Sequence, residues 1–175
     1  MKRCVWLWQL CGFAATSLAG TLLHFLYDLT GESIWVAPFS GVNESTWEHM
    51  KLLFWPMLIF AIIQSLFFTD YPSFWCVKLR GTLIGLSLIP VLFYTYNGVI
   101  CKSPDLVNIS IFFISAAIAY AYEARRLKRG DKRCASPARA FVCLIFIALL
   151  FIIFTFRTPH LGIFLDPVTR TYGIQ

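Results

Sequence analysis

The stretch RAFVCLIFIALLFIIFTF, residues 139–156, decides the fold class of this chain. One charged residue opens it, and uncharged, mostly apolar residues fill the remainder. As an α-helix, a run of this length crosses the hydrocarbon core of a bilayer, which is about 30 Å thick. A helix also satisfies its own backbone hydrogen bonds, as a chain in lipid must do. The stretch therefore predicts a transmembrane helix.

Similar apolar runs recur toward the N-terminus. The chain of 175 residues is 58% hydrophobic and only 14% charged, with a mean hydropathy of +0.69. A soluble domain is about 25% charged, so this composition excludes an ordinary soluble protein. We predict an all-α polytopic membrane protein, with residues 1–175 forming one integral membrane domain. Its five transmembrane helices are expected at residues 4–27, 48–69, 80–100, 106–123 and 139–156.

The distribution of basic residues predicts the orientation. With the N-terminus inside, only four of the 15 Lys and Arg residues fall on the outer side: Lys51, Lys102, Arg157 and Arg170. The others lie inside, many of them in the segment 124–138, and such clustering is a topology signal. We therefore expect N-in/C-out insertion in the cytoplasmic membrane, with an ordered loop and an ordered C-terminal tail outside. The partners are then membrane lipids and, for some functions, further copies of the chain, but not nucleic acid.

The cysteines carry a separate expectation. Of the six cysteines, this topology leaves only Cys101 near the outer face. Disulfides persist in oxidising compartments and are rare in the cytosol. We therefore expect no disulfide framework.

The predicted topology collects polar residues at the outer boundary. All three histidines, His24, His49 and His160, fall there. Ionisable groups at membrane depth cost about 2.5–3.5 kcal/mol on insertion scales and are functional candidates by default. We predict one shared pocket, whose other members are Asp28, Asn43, Glu44, Glu48, Tyr96, Asn97 and Asp166.

Part of this cluster also has a purely structural interpretation. Ser45-Thr46-Trp47-Glu48 matches the S-x-x-E capping box, which satisfies free amides at a helix N-terminus. His24 and Asp28 are four residues apart, so they share one helix face and form either a satisfied buried pair or part of a site. The whole cluster is also compatible with a hydrogen-bond network that holds no metal.

The same residue types suit a divalent metal such as zinc, which binds imidazole nitrogen and carboxylate oxygen. Neither an HExxH nor a CxxC motif is present. The candidate ligands are His24, His49, His160 and Asp166. The candidate catalytic residues are Glu44 and Glu48 as general base and His49 as acid or ligand. The supporting residues are Asp28, Asn43, Tyr96 and Asn97.

Three sequence blocks resemble one known family. They are His24, the motif Asn43-Glu44-Ser45-Thr46-Trp47-Glu48-His49, and a tail that runs from Phe154-Thr155 through Pro159-His160, Phe164 and Asp166-Pro167 to Tyr172-Gly173-Ile174. The chain resembles an uncharacterised family of small bacterial integral membrane proteins over nearly its whole length. It departs from the family pattern at Thr158, where a proline is usual. The resemblance implies that the motif and the tail belong together, and it implies no activity.

Three functions are compatible with these features. The first is a membrane enzyme that acts on a lipid or lipophilic substrate at the outer leaflet. In one version of this hypothesis, a bound metal assists the reaction. The second is a transport or binding module, which would need several copies because five spans are few for one transporter. The third is a structural accessory protein.

Overall fold

The computed structural model describes residues 2–100, 104–130 and 134–174, so Cys101 and Lys102 lie outside the described residues. Within these ranges the chain forms five long helices, one short 3-10 turn and no strand beyond a single bridge between Leu165 and Tyr172. The helices are α1 (Lys2–Leu29), α2 (Thr46–Ser65), α3 (Phe74–Ile100), α4 (Asp105–Arg129) and α5 (Pro137–Phe156), and the 3-10 turn covers Gly162–Phe164. The predicted all-α fold is confirmed.

Helix α2 is the central helix of the bundle. It packs against each of the other four helices, and every residue from Lys51 to Leu58 is buried. A helix that is apolar on all sides belongs inside a bundle, which explains its position. The other four helices are each long and apolar enough to cross a membrane. Polar groups near the start of α2 therefore face protein and not lipid.

Two helix boundaries differ from the prediction in a way that matters. Helix α3 begins at Phe74 instead of residue 80, so it includes Lys78. Helix α4 continues to Arg129, so Glu123, the last residue of the predicted span, lies inside the helix. Their side chains meet between α3 and α4, with 2.6 Å between Lys78 Nζ and Glu123 Oε2, and both are buried. The predicted spans leave Lys78 before the third helix and end the fourth at Glu123, because both charges flank apolar runs.

The expectation of no disulfide is wrong. Cys76 in the first turn of α3 is bonded to Cys134 in the connection between α4 and α5, with the two Cα atoms 5.7 Å apart. The prediction considered the compartment and not proximity, and the charge pattern assigns this side to the cytoplasm, where such bonds are rare. The bond ties the beginning of α3 to the connection that leads into α5.

Glycine allows three helices to approach closely in the half of the bundle that holds His24 and His49. A Cβ atom on Gly20 of α1 would lie 2.5 Å from the Phe112 ring of α4 and 3.0 Å from the Leu52 carbonyl oxygen of α2. No larger residue fits without moving one of these neighbours. This approach brings the end of α1 next to the beginning of α2.

Candidate functional site

The loop between α1 and α2 folds back onto the end of α1. Ser40 Oγ accepts a hydrogen bond from the Tyr27 N–H at 2.9 Å and donates to the Leu23 carbonyl. The Gly41 N–H also donates to the Leu23 carbonyl, at 3.4 Å. These bonds fix residues 42–45 beside His24.

Ser45 caps α2, as half of the predicted capping box. Its Oγ accepts the Glu48 N–H at 3.4 Å. The reciprocal bond is absent, because the Ser45 N–H donates to Asn43 Oδ1 at 2.9 Å and Glu48 Oε2 accepts the Val42 N–H at 3.1 Å. Three backbone amides are thus satisfied by side chains of the motif.

Replacing Ser45 with alanine removes this cap and is expected to lower the free energy of unfolding by about 0.5–2 kcal/mol. Unfolding of the purified protein in mixed micelles measures the loss. Ser87, which is exposed in the middle of α3 and caps no helix, provides the matched Ser→Ala control. An equal effect of both substitutions would show that Ser45 does not act as a cap.

The C-terminal tail packs against this loop, as predicted. Asn43 Nδ2 donates to the Gly173 carbonyl at 3.0 Å, and the Glu44 N–H donates to Asp166 Oδ2 at 3.3 Å. The Trp47 ring contacts the rings of Phe151 and Phe164, with centroids 4.6 and 4.7 Å away. The motif and the tail therefore form one structural unit.

Asp166 organises the tail as a hydrogen-bond acceptor. Its Oδ1 accepts the N–H groups of Val168 at 2.7 Å and Thr169 at 3.2 Å, while Oδ2 accepts that of Glu44. Burial alone would raise the pKa of this carboxyl, but these hydrogen bonds outweigh burial and hold the pKa below its ordinary value. Asp166 is therefore an ionised structural anchor.

Glu48 and Lys51 form a second buried ion pair, at the end of the bundle that holds the histidines. Lys51 Nζ lies 2.6 Å from Glu48 Oε2 and donates to the Ala37 carbonyl at 2.7 Å and to Thr155 Oγ1 at 3.1 Å. All three ammonium protons have an acceptor, and neither side chain reaches solvent to any extent. The network joins α2 to the loop and to α5.

His24 and His49 lie on either side of the Glu44 carboxylate. Their Nε2 atoms are each 3.6 Å from one of its oxygens, Oε1 for His24 and Oε2 for His49. His49 Nδ1 lies 2.9 Å from the Ser45 carbonyl, which accepts only, so Nδ1 carries a proton and Nε2 faces Glu44. A spacing of 3.6 Å is too long for a direct hydrogen bond and leaves these groups available to another polar atom.

These histidines also line an apolar cavity of about 250 Å³ between α1, α2 and α4. Its floor includes Gly20 and Leu52, and Asn108 of α4 adds a polar group. Phe25 and Ile109 also line the cavity and are more than half exposed, so the cavity opens to the surroundings of the bundle. The apolar cavity therefore lies next to the ionisable side chains of His24, Glu44 and His49.

The predicted metal ligands do not come together as a set. His160 is exposed and packs against the Tyr172 ring, with centroids 4.8 Å apart, and the oxygens of Asp166 accept backbone N–H groups. Across residues 2–100, 104–130 and 134–174, no group of three or more His, Cys, Asp or Glu side chains is arranged to hold a metal ion. The tail meets the loop through Gly173, Asp166 and Phe164, whereas His160 packs on Tyr172 within the tail itself.

Of the predicted supporting residues, one takes part in the structure around the site and three do not contact the His24–Glu44–His49 group. Asn43 connects the loop to the tail. Asp28 is exposed at the end of α1, and Tyr96 and Asn97 are half-buried near the end of α3. In the described part of the chain, none of these last three forms a hydrogen bond or ion pair with His24, Glu44 or His49.

Sequence reasoning missed two features of the site. The first is the complete burial of Lys51, which follows from the central position of α2. The sequence indicates only that Lys51 either pairs with Glu48 one turn back or extends toward the membrane surface. The second is Asn108, a polar residue that precedes the long apolar stretch of α4 and lines the cavity. A polar residue inside a spanning helix is itself the signal that would have found it.

Comparison with known proteins identifies a family for this chain but no activity. No curated protein and no solved structure matches the sequence. One family model does match, and it covers residues 2–174. The chain therefore belongs to the family of unknown function DUF6512.

Proposed function

We propose that this protein is a membrane enzyme that binds a lipid or another lipophilic molecule in the cavity between α1, α2 and α4. One observation carries the proposal: His24 and His49 line the apolar cavity and also flank the Glu44 carboxylate. The apolar walls suit the hydrocarbon part of a substrate. The ionisable groups would then lie beside its polar part.

Glu44 and His49 are the acid and base in this proposal. Glu44 is 46% exposed, so a substrate or water can reach it, whereas Glu48 is enclosed in the ion pair with Lys51. His49 is held by Ser45 with Nε2 toward Glu44, 3.6 Å from its carboxylate, so a polar atom of water or substrate placed between them contacts both groups. Such a pair can take a proton from water or a substrate hydroxyl and return it to a leaving group. Glu48 has a positioning role because it fixes the loop.

Glu44→Gln tests this assignment, because it keeps the shape of the side chain and removes the base. Lipid extracts of cells that make the wild type and the variant are compared by mass spectrometry. Removing a general base slows a reaction by about 10²–10⁴-fold, so we expect at least one lipophilic species to accumulate with the variant. Glu32→Gln, at an exposed position in the same loop, is the matched control.

A second variant tests the cavity. Thr21 lies on its wall and is exposed, so Thr21→Phe fills the space without disturbing the core. It is expected to produce the same lipid profile as Glu44→Gln. Unchanged profiles for both variants, with a lower melting temperature for Glu44→Gln, would mean that the motif is structural. Elemental analysis of wild type and His49→Ala tests the metal-assisted form of the enzyme.

A further inference from the structure

A second groove runs between α1 and α4 in the half of the bundle away from the histidines. It has a volume of about 260 Å³ and lies between Trp6, Leu10 and Phe13 of α1 and Ala117 and Ala121 of α4. The small alanine side chains leave a channel beside the larger residues of α1. Leu10 and Ala117 are exposed, so the groove faces the surroundings of the bundle. In a membrane, those surroundings are lipid tails.

The groove ends at a basic pocket of about 410 Å³, formed by Arg125, Lys128 and Arg129 together with Trp6. Trp6 lines both spaces, so they adjoin. The three basic side chains are exposed, and none forms an ion pair within the described part of the chain. They follow Ala117 and Ala121 at intervals of three and four residues, which places apolar and basic residues on one face of α4.

We propose that this continuous surface binds an anionic phospholipid. The groove takes an acyl chain, and the basic pocket takes the phosphate-bearing headgroup. Arg and Lys provide the charge that an anionic headgroup requires, and Arg also offers paired N–H donors to phosphate. Basic pockets between transmembrane helices at the positively charged side of a membrane protein bind anionic lipids in this way. The Trp6 indole lies where tail and headgroup meet, a position that tryptophan favours.

The test uses the purified protein in detergent, with phosphatidylglycerol and phosphatidylcholine of equal acyl chains as probes. Native mass spectrometry counts the bound lipids during titration. We expect tighter binding of phosphatidylglycerol. The double substitution Arg125→Gln/Arg129→Gln should weaken its binding by about thirtyfold, because each basic residue near an anionic lipid contributes about fivefold.

Two controls make the result specific. Arg139→Gln/Arg157→Gln removes the same charge from exposed positions outside the pocket and should leave binding unchanged. Ala117→Phe fills the groove and should weaken binding, whereas Ala15→Phe, which is exposed about 180° round α1 from Trp6, should not. Equal binding of the two lipids, equal loss in both arginine pairs, or no effect of Ala117→Phe would each overturn the proposal.

Discussion

Lys51→Met is expected to lower the free energy of unfolding by about 3–5 kcal/mol, the usual cost of removing one partner of a buried ion pair. Methionine has nearly the length of lysine, so the loss is of charge and hydrogen bonds and not of volume. Glu48 would remain buried without its cation, and the Ala37 carbonyl would lose its donor. Unfolding in mixed micelles, followed by circular dichroism, measures the change.

The double variant Glu48→Gln/Lys51→Met separates the two causes. It removes the unpaired charge and keeps an oxygen for the Val42 N–H, so it should recover part of the loss. The Ala37 carbonyl stays unpaired and accounts for the remaining cost, about 1–3 kcal/mol. Lys128→Met, at an exposed position, is the matched control. If Lys51→Met cost no more than this control, the buried network would contribute nothing to stability.

The five helices were predictable because a long apolar run indicates a long helix almost by itself. Four runs are apolar enough to be recognised alone, and α2 was recognised although it carries Glu48 and Lys51. The ends of the helices were less predictable. The predicted third span left out Lys78, because this charge is accommodated inside α3 by its contact with Glu123, 45 positions away in the sequence.

The candidate site was predictable in part for a similar reason. The topology alone placed His24, Glu44 and His49 at one end of the bundle, and the structure brings those three together. The topology argument also included His160 and Asp166. It predicts at which end of the bundle a residue lies but not its position around the axis of the bundle. Which side of the bundle a residue faces depends on helix packing, such as the close approach at Gly20.

The two buried ion pairs differ in their surroundings, and this difference leads to the second large effect. Lys51 has three hydrogen-bond acceptors from three parts of the chain. Among the residues that the structure describes, Lys78 has one acceptor, Glu123, and the rings of Phe60, Phe74 and Tyr120 lie at 5.5–5.7 Å from its ammonium. In the described residues, Glu123 Oε1 has no hydrogen-bond partner. The first pair is part of a network, and the second is an isolated pair in an apolar setting.

Glu123→Leu is therefore expected to destabilise the protein by about 3–5 kcal/mol, because it leaves the Lys78 ammonium buried without a counterion. Lys78→Met/Glu123→Leu removes both charges together with the unpaired oxygen. Replacing an isolated buried ion pair by apolar residues of similar volume often leaves protein stability unchanged or raises it by about 1–4 kcal/mol. We expect this double variant to be at least as stable as the wild type, unlike Glu48→Gln/Lys51→Met.

Unfolding in the same micelles of both single variants, Lys51→Met and Glu123→Leu, and of the two double variants shows whether the Lys78–Glu123 pair contributes to stability. Full recovery in its double variant would mean that the pair adds no stability, so its buried charges would need another explanation. A loss as large as that of Glu123→Leu alone would contradict the expectation and would show that Lys78 gains substantial energy from the three aromatic rings. Cation–π contacts of desolvated cations are worth about 2 kcal/mol or more each, so such a result has a physical source. Phe60→Leu would then cost more stability in the wild type than in a Lys78→Met background, because only the wild type loses the cation–π contact as well as the ring packing.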